Sequence, residues 1–329
     1  MNERSPGGDS PPPEPTWPDL VPSGYDEERE YDLSCTVDPY RDGWRLDEFL
    51  SHRFRYHPPH VWAERLAEER VRVNGRVGRA ETTLGKGDRI DYAFRHAEPS
   101  VDFRHEVLFE DDEVLAVAKS GNLPVHAGGK FIRNTLIARL RESRDDSLRL
   151  VHRLDRETSG VVLLAKSAEV ARELGDEFRH HAVEKEYVAV VRGRLEARTQ
   201  VDGPIARRQP AEPPYFRVVA EGGKPAVTEF VPRTAGRVRG REATLVTVIP
   251  REGRTNQIRV HAAHVGHPLV GDKIYGVAPE LARRFVDEGE FPELLREAGA
   301  ARHLLHCARL KCSRGEFVAP LPPEFALEP

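Results

Sequence analysis

At 329 residues the chain exceeds the roughly 250–300 at which a single hydrophobic core stops growing, so a core domain plus an accessory module is expected. Hydrophobic residues make up 39% and charged residues 32%, no apolar run nears the ~18–20 residues of a membrane span, and no basic-then-apolar leader opens the chain, so the reading is a soluble, cytoplasmic protein that does not enter a membrane. The net charge of −4 is local in origin: Met1 to Asp38 holds ten Asp and Glu against two Arg, or −8, which leaves +4 on a body suited to an anionic partner or to an ordinary solvated surface.

Pro11 to Pro13, Pro15, Pro18 and Pro22, set among acids and glycines, cannot bury enough apolar surface to offset their ordering entropy; residues 1–38 are expected to form a disordered acidic tail. From Trp44 the pattern changes. Leu46, Phe49, Leu50 and Phe54 recur at helical spacing, and Val61, Arg65 and Leu66 predict a second short helix after the Pro58-Pro59 break. Val71 and Val73 then alternate with arginine before Asn74-Gly75, the pair that best tolerates the positive φ of a tight hairpin turn, and Val77 leads the return strand. A Gly85-Lys86-Gly87-Asp88 turn feeds Ile90, Tyr92 and Phe94, closing a compact unit over residues 39–98. Cys35, Cys307 and Cys312 make no even disulfide framework and read as reduced thiols.

Beyond a linker at His96 to Ser100, Val107 to Phe109 and Val114 to Ala118 flank an acidic turn and read as a hairpin. A second domain, residues 99–329, begins there. Its short alternating strands with few long helices between them predict an α+β fold with a mainly antiparallel, mixed sheet, not a doubly wound parallel one.

The most informative stretch is Arg149 to Lys166, R-L-V-H-R-L-D-R-E-T-S-G-V-V-L-L-A-K, a polar loop running into the apolar strand candidate Val161 to Ala165. Asp155, between Arg153 and Arg156, lies at the edge of a rigid sheet, with cations expected to keep it ionised for base or nucleophilic chemistry. From the residues alone it is equally a structural ion-pair partner or a turn former. Glu184 to Gly193 has strand character and places Lys185 and Tyr187 on one face; Tyr187 is either a ring presented to a cleft or a core tyrosine. In Arg251 to Gly276, R-E-G-R-T-N-Q-I-R-V-H-A-A-H-V-G-H-P-L-V-G-D-K-I-Y-G, Thr255 is a candidate N-cap and Ile258, Ala262 and Val265 share a helix face that stops at Gly266. Arg254 and Arg259 fall near that helix start, where an anion is favoured.

H-R-L-D-R-E-T-S-G-V-V-L-L-A-K closely resembles the catalytic motif of RluA-type pseudouridine synthases, which convert uridine to pseudouridine in RNA. The matches at Lys119 to His126, Glu184 to Gly193, Arg251 to Gly276 and His303 to Leu310 extend the resemblance over most of the chain, with Ser120 standing where proline is usual and Asn256 where histidine is common. The resemblance implies that Asp155 is the essential catalytic residue, that Tyr187 stacks on the extracted base, and that Arg259 pairs with the aspartate. His152, Arg153, Arg156, Thr158, Lys185, Arg254, Asn256 and Gln257 are the accompanying substrate-binding candidates. The last of these blocks, His303 to Leu310, is expected to pack around the site without a chemical role.

The two helices followed by R-V-N-G and G-D-R-I resemble the αL RNA-binding module named after a small-subunit ribosomal protein, with Arg45, Arg65, Arg72, Asn74 and Arg76 as candidate RNA contacts; a small structural domain is the alternative. The implied reaction is an isomerisation on a base flipped out of its stack, which requires neither metal nor organic cofactor. The expected partner is RNA, ribosomal in preference to transfer RNA, with no membrane and no obligate protein partner, the enzyme acting as a monomer. His261, His264 and His267 suggest a metal site only weakly, because the last lies past the helix stop and no Cys-x-x-Cys pair accompanies them. H-R-L-D is not the kinase H-R-D, and neither D-F-G nor a phosphate-binding glycine loop is present.

Overall fold

Tyr31, Leu33 and Cys35 alternate with polar residues, and that period of two makes Arg29–Thr36 a strand (β1) whose inner side chain, Tyr31, is 3% exposed. The computed structural model describes residues 25–54, 57–207 and 216–329. The tail expected over 1–38 therefore needs correction at its C-terminal end: residues 29–36 pair along their whole length with a later strand, their alternation hidden in the sequence by the density of acids. Residues 1–24 of that tail lie outside the described residues.

After β1 come two helices, α1 (Leu46–Arg53) and α2 (Pro59–Ala67), a hairpin of β2 (Val71–Val73) and β3 (Arg76–Val77), and β4 (Arg89–His96). The hairpin turns on Asn74 and Gly75 with φ of 51° and 78°, the left-handed pair required for a two-residue loop. The four strands form one sheet in the order β1-β4-β2-β3, and Phe49, Leu50, Trp62 and Leu66 from the helices bury against Tyr31, Ile90 and Tyr92 to give this unit its own core.

The larger unit begins with the hairpin β5 (His105–Glu110) and β6 (Val114–Lys119), followed by α3 (Leu136–Ser143), β7 (Arg149–Leu150), β8 (Ser159–Ala165), α4 (Ala168–Arg179) and β9 (Glu184–Arg192). Then come β10 (Thr199–Asp202), the small pair β11 (Ile205–Arg207) and β12 (Arg217–Val219), and the long strands β13 (Val227–Val238) and β14 (Arg241–Pro250). The chain finishes with α5 (Gln257–His264), α6 (Pro279–Glu288), α7 (Pro292–Ala298), β15 (Leu305–Cys312) and β16 (Gly315–Val318).

Among the described residues ten strands join in one sheet, with the path β10-β13-β14-β9-β15-β8-β6-β5 and β16 and β7 attached to β15 and β8. Every pairing is antiparallel except β15 with β8, where His306 and Cys307 face Ser159 and Gly160. The fold is accordingly α+β with a mixed sheet. Val161 to Ala165 are fully buried, which is why that strand reads as an unbroken apolar run. The parallel step is close: a Cβ on Gly160, whose φ is +110°, would lie 2.2 Å from the Cys307 carbonyl oxygen. The described residues include no helix long and apolar enough to cross a membrane.

Candidate active site

The loop between β7 and β8 is shaped by a turn in which the Thr158 amide donates to the Asp155 carbonyl at 3.1 Å. Four buried side chains hold it from behind. Lys119 donates to the Arg156 carbonyl at 3.1 Å, Arg302 to the Glu157 carbonyl at 2.9 Å, Lys273 to the Glu157 carboxylate at 2.6 Å, and the His303 ring meets the Thr158 hydroxyl at 2.8 Å. Burial would raise the Glu157 pKa, but Lys273, Arg156 and His303 outweigh it and hold the carboxyl well below the usual range. His303, desolvated and facing Arg259, is pushed down to about 3 and is neutral.

In front of this scaffold Asp155 turns toward the start of α5. Arg259 Nη1 lies 3.3 Å from Asp155 Oδ2, while its Nε and Nη2 grip the two carboxylate oxygens of Asp272 at 2.7 and 2.8 Å. Asp272 is completely buried, and also accepts the amides of Ile274 and Tyr275. Burial opposes its charge, yet Arg259 prevails and lowers the carboxyl pKa to about 2. A fourth contact, Arg259 Nη1 to Asn256 Oδ1 at 3.2 Å, and the Tyr275 ring 5.2 Å from the guanidinium fix the arginine's plane.

Asp155, Tyr187 and Arg259 line one cleft of about 540 Å³, within the size range of ordinary ligand sites. His152, Arg153, Thr158, Lys185, Arg254, Asn256 and Gln257 line it too. Arg156 does not: it pairs with Glu157 at 3.0 Å and lies over Phe131. The expectation that Arg153 and Arg156 flank the aspartate as its counter-ions is thus corrected. Adjacent side chains of an extended loop diverge, which turns Arg156 away from Asp155, and Arg153, on the cleft side, reaches His126 at 3.0 Å. A larger hollow of about 880 Å³ lies between Arg104, Arg302 and Pro320 and contains none of the cleft's polar constellation.

Several lining residues are occupied by the fold. The His152 ring accepts the Leu163 amide and stacks on Phe178 with centroids 4.7 Å apart; burial, then Lys185, push its pKa down to about 3. The Gln257 amide donates to Val227 and Glu252, and its oxygen accepts the Arg254 amide. Lys185 donates to the Glu252 carbonyl and Arg254 to that of Pro225. Tyr187, desolvated and donating its hydroxyl to Cys307, has a pKa well above the ordinary phenol value and stays neutral. The helix cap differs from expectation: Asn256, at φ 58° and ψ 19°, occupies the N-cap of α5 in place of Thr255, because the Gln257 side chain closes the preceding turn.

In the smaller unit Arg72 and Arg76 are exposed on the hairpin. Arg45 is held by Asp47, Arg65 donates to the Ala93 carbonyl, and Asn74 binds Asp88, so the last serves the turn itself. His261 uses both ring nitrogens, on Thr228 and the Gly203 carbonyl, and His267 contacts the Arg192 carbonyl. All three cysteines are free thiols.

A partly exposed carboxylate and a buried arginine facing each other in an α+β cleft make a candidate enzyme site, and comparison with known proteins gives its class. The family model described as RNA pseudouridylate synthase matches residues 113–264. Ribosomal large subunit pseudouridine synthase C of Escherichia coli K12 is 33% identical over 286 residues, covering 82% of this chain and 85% of that protein; its counterpart in Pasteurella multocida is 32% identical, covering 88% and 90%. Among solved structures, human RNA Pseudouridylate Synthase Domain Containing 1 superposes with a TM-score of 0.56 at 25% identity over 70% of this chain and 89% of that one. Human RNA Pseudouridylate Synthase Domain Containing 4, at 24% identity and a TM-score of 0.52, shares the fold. The chain belongs to the RNA pseudouridylate synthase family, in its RluA-type branch, and is an isomerase.

Sequence reading missed Asp272, Glu157 and Lys273, and placed His303 only as packing around the site. Asp272 and Lys273 stood within the quoted G-D-K-I-Y-G segment, and Glu157 within the motif itself, so adjacency to the matched blocks was the available signal.

Proposed function

We propose that this enzyme converts specific uridines of large-subunit ribosomal RNA to pseudouridine, in the cytoplasm and as a monomer, with Asp155 as its catalytic carboxylate. The single observation that carries the assignment of roles is the convergence of Asp155, Arg259 and Tyr187 on one cleft. The target uridine leaves its stack, because a stacked and paired base hides the bonds to be changed. Asp155 promotes cleavage between N1 of the base and the ribose; the uracil turns while lying against Tyr187, and its C5 rejoins the sugar. One proton leaves C5 and one is taken up at N1, so the product is an isomer and nothing is consumed. Stacking on the tyrosine is worth about 1–3 kcal/mol, enough to retain a detached base.

The ribosomal target is supported by the names of the relatives at 32–33% identity, which cover most of both chains. The unit over residues 29–98 serves as an RNA-binding module, with Arg72 and Arg76 on its exposed hairpin positioning the backbone of the substrate without reading its bases. The test is chemical mapping of pseudouridines across cellular RNA from cells with the gene, without it, and rescued with wild type or Asp155→Asn. Particular ribosomal sites are expected to vanish with the gene and return only with wild type. Sites restored by Asp155→Asn would remove the aspartate from the chemistry, and sites confined to transfer RNA would reassign the substrate.

A further inference from the structure

Two consecutive residues of one loop belong to different cores. Phe131 packs against the core of the larger unit and lies beneath the Arg156 guanidinium at 5.7 Å, whereas Ile132 packs into the core built around Trp62 and Tyr31. Glu98, 1% exposed, sits at the same joint. Its carboxylate accepts the amides of Ile132, Arg133 and Asn134 at 2.6, 2.9 and 2.9 Å and the Tyr31 hydroxyl at 2.5 Å. Beside it, Asp26 accepts from Ser100 and from the Asn134 side chain, both at 2.9 Å, and the His96 ring meets the Lys130 carbonyl at 2.8 Å.

Strand β1 opens the smaller unit and β4 closes it, and the chain passes from β4 into the larger unit through this joint. The other end of the loop reaches the active site, where His126 meets Arg153, two residues before Asp155. A hinge free to swing would not carry a buried carboxylate with four donors, since such a group is costly to leave unpaired. We infer that Glu98 is a positioning residue that locks the N-terminal unit against the 126–134 loop, so that this unit and the catalytic cleft engage a single RNA as a rigid pair. The inference rests on the reading of that unit as RNA-binding. Its energetic logic is that of two linked contacts: when their relative placement is fixed, the second forms at high effective concentration, and loosening the joint lowers affinity without touching the chemistry.

The experiment uses the full-length enzyme as wild type, Glu98→Gln, Tyr31→Phe and the double variant Arg72→Ala with Arg76→Ala. Each is assayed on a minimal stem-loop bearing the target uridine and on a longer fragment of the same RNA with its flanking helices, and amide exchange is followed at residues 132–134. Glu98→Gln is expected to speed that exchange and raise KM for the longer fragment about tenfold, with kcat and the stem-loop constants unchanged. Tyr31→Phe, which removes one donor and leaves the carboxylate in place, moves the same quantities by about threefold. Equal losses on both RNAs, or a fall in kcat, would overturn the inference and make the joint a support for the active site alone. An unchanged KM despite faster exchange would overturn it as well. The double arginine variant separates the two readings: its silence on the longer fragment removes RNA contact from the unit, whereas its effect combined with silence of Glu98→Gln removes only the lock.

Discussion

Arg259 meets Asp155 through a single contact, Nη1 to Oδ2 at 3.3 Å, and is the more loosely bound to it of its two carboxylate partners. Asp272 takes the other edge of the guanidinium with two shorter bonds and is itself inaccessible to solvent. The arginine is therefore fixed by the fold and offered to the loop between β7 and β8, leaving the half-buried Asp155 carboxylate free to exchange partners when a ligand enters the cleft.

Asp272→Asn leaves a buried guanidinium with its principal counter-charge gone, and a destabilisation of about 3–5 kcal/mol in chemical denaturation is expected. The wild-type carboxyl has a folded pKa of about 2, below the roughly 3.9 of an unfolded chain. Its contribution is complete above pH ~4 and is lost as the pH falls toward 2, so the gap between wild type and variant narrows over that window. A gap that stayed constant with pH would show that the pair does not stabilise through charge.

Tyr187→Ala removes the platform assigned to the base and is expected to lower kcat/KM by about 10- to 10²-fold, the equivalent of one lost stacking contact. Melting curves serve as the control, because Tyr187 also packs on two hydrophobic clusters. Full activity in a folded variant would assign the ring to the core alone.

His303 is 2% exposed and held neutral with a pKa of about 3, whereas the unfolded residue takes a proton near 6.5. The unfolded state thus binds the extra proton between those values, and stability rises with pH across that window to reach its full value above about 6.5. His303→Gln is expected to reduce this slope by up to about 1.4 kcal/mol per pH unit. Parallel wild-type and variant curves between pH 7.5 and 4.5 would refute it.

Gly160→Ala drives a Cβ to 2.2 Å from the Cys307 carbonyl at a backbone φ of +110°, where strands β8 and β15 run side by side. A loss of at least about 2 kcal/mol is expected, from overpacking and backbone strain together. The neighbouring Gly175 has open space around its Cβ position, so Gly175→Ala in helix α4 provides a substitution that the fold accepts.

The parts of this protein that a period or a motif encodes were legible in its sequence: the two short helices, the Asn74-Gly75 hairpin, the buried strand that follows the Asp155 loop, and the block containing Asp155. Asp272, Glu157 and Glu98 were not, because a buried carboxylate and a surface one are the same letter, and only the folded chain shows which arginine or which row of amides faces it. The misreading of residues 29–36 has the converse cause. A high density of acids signals disorder, yet an edge strand places its charges outward and needs only one well-buried tyrosine to hold it.

The alternation at Phe131 and Ile132 also limits how this joint tolerates change in evolution. Either residue can be exchanged for another apolar one at modest cost, but inserting a single residue between the two, or deleting one just before them, would reverse which side of the loop is faced. The side chain meant for one core would then point into the other, and the Glu98 carboxylate would face a shifted row of amides. Length is thus the quantity to compare among relatives along residues 126–134, more than the identity of any one position.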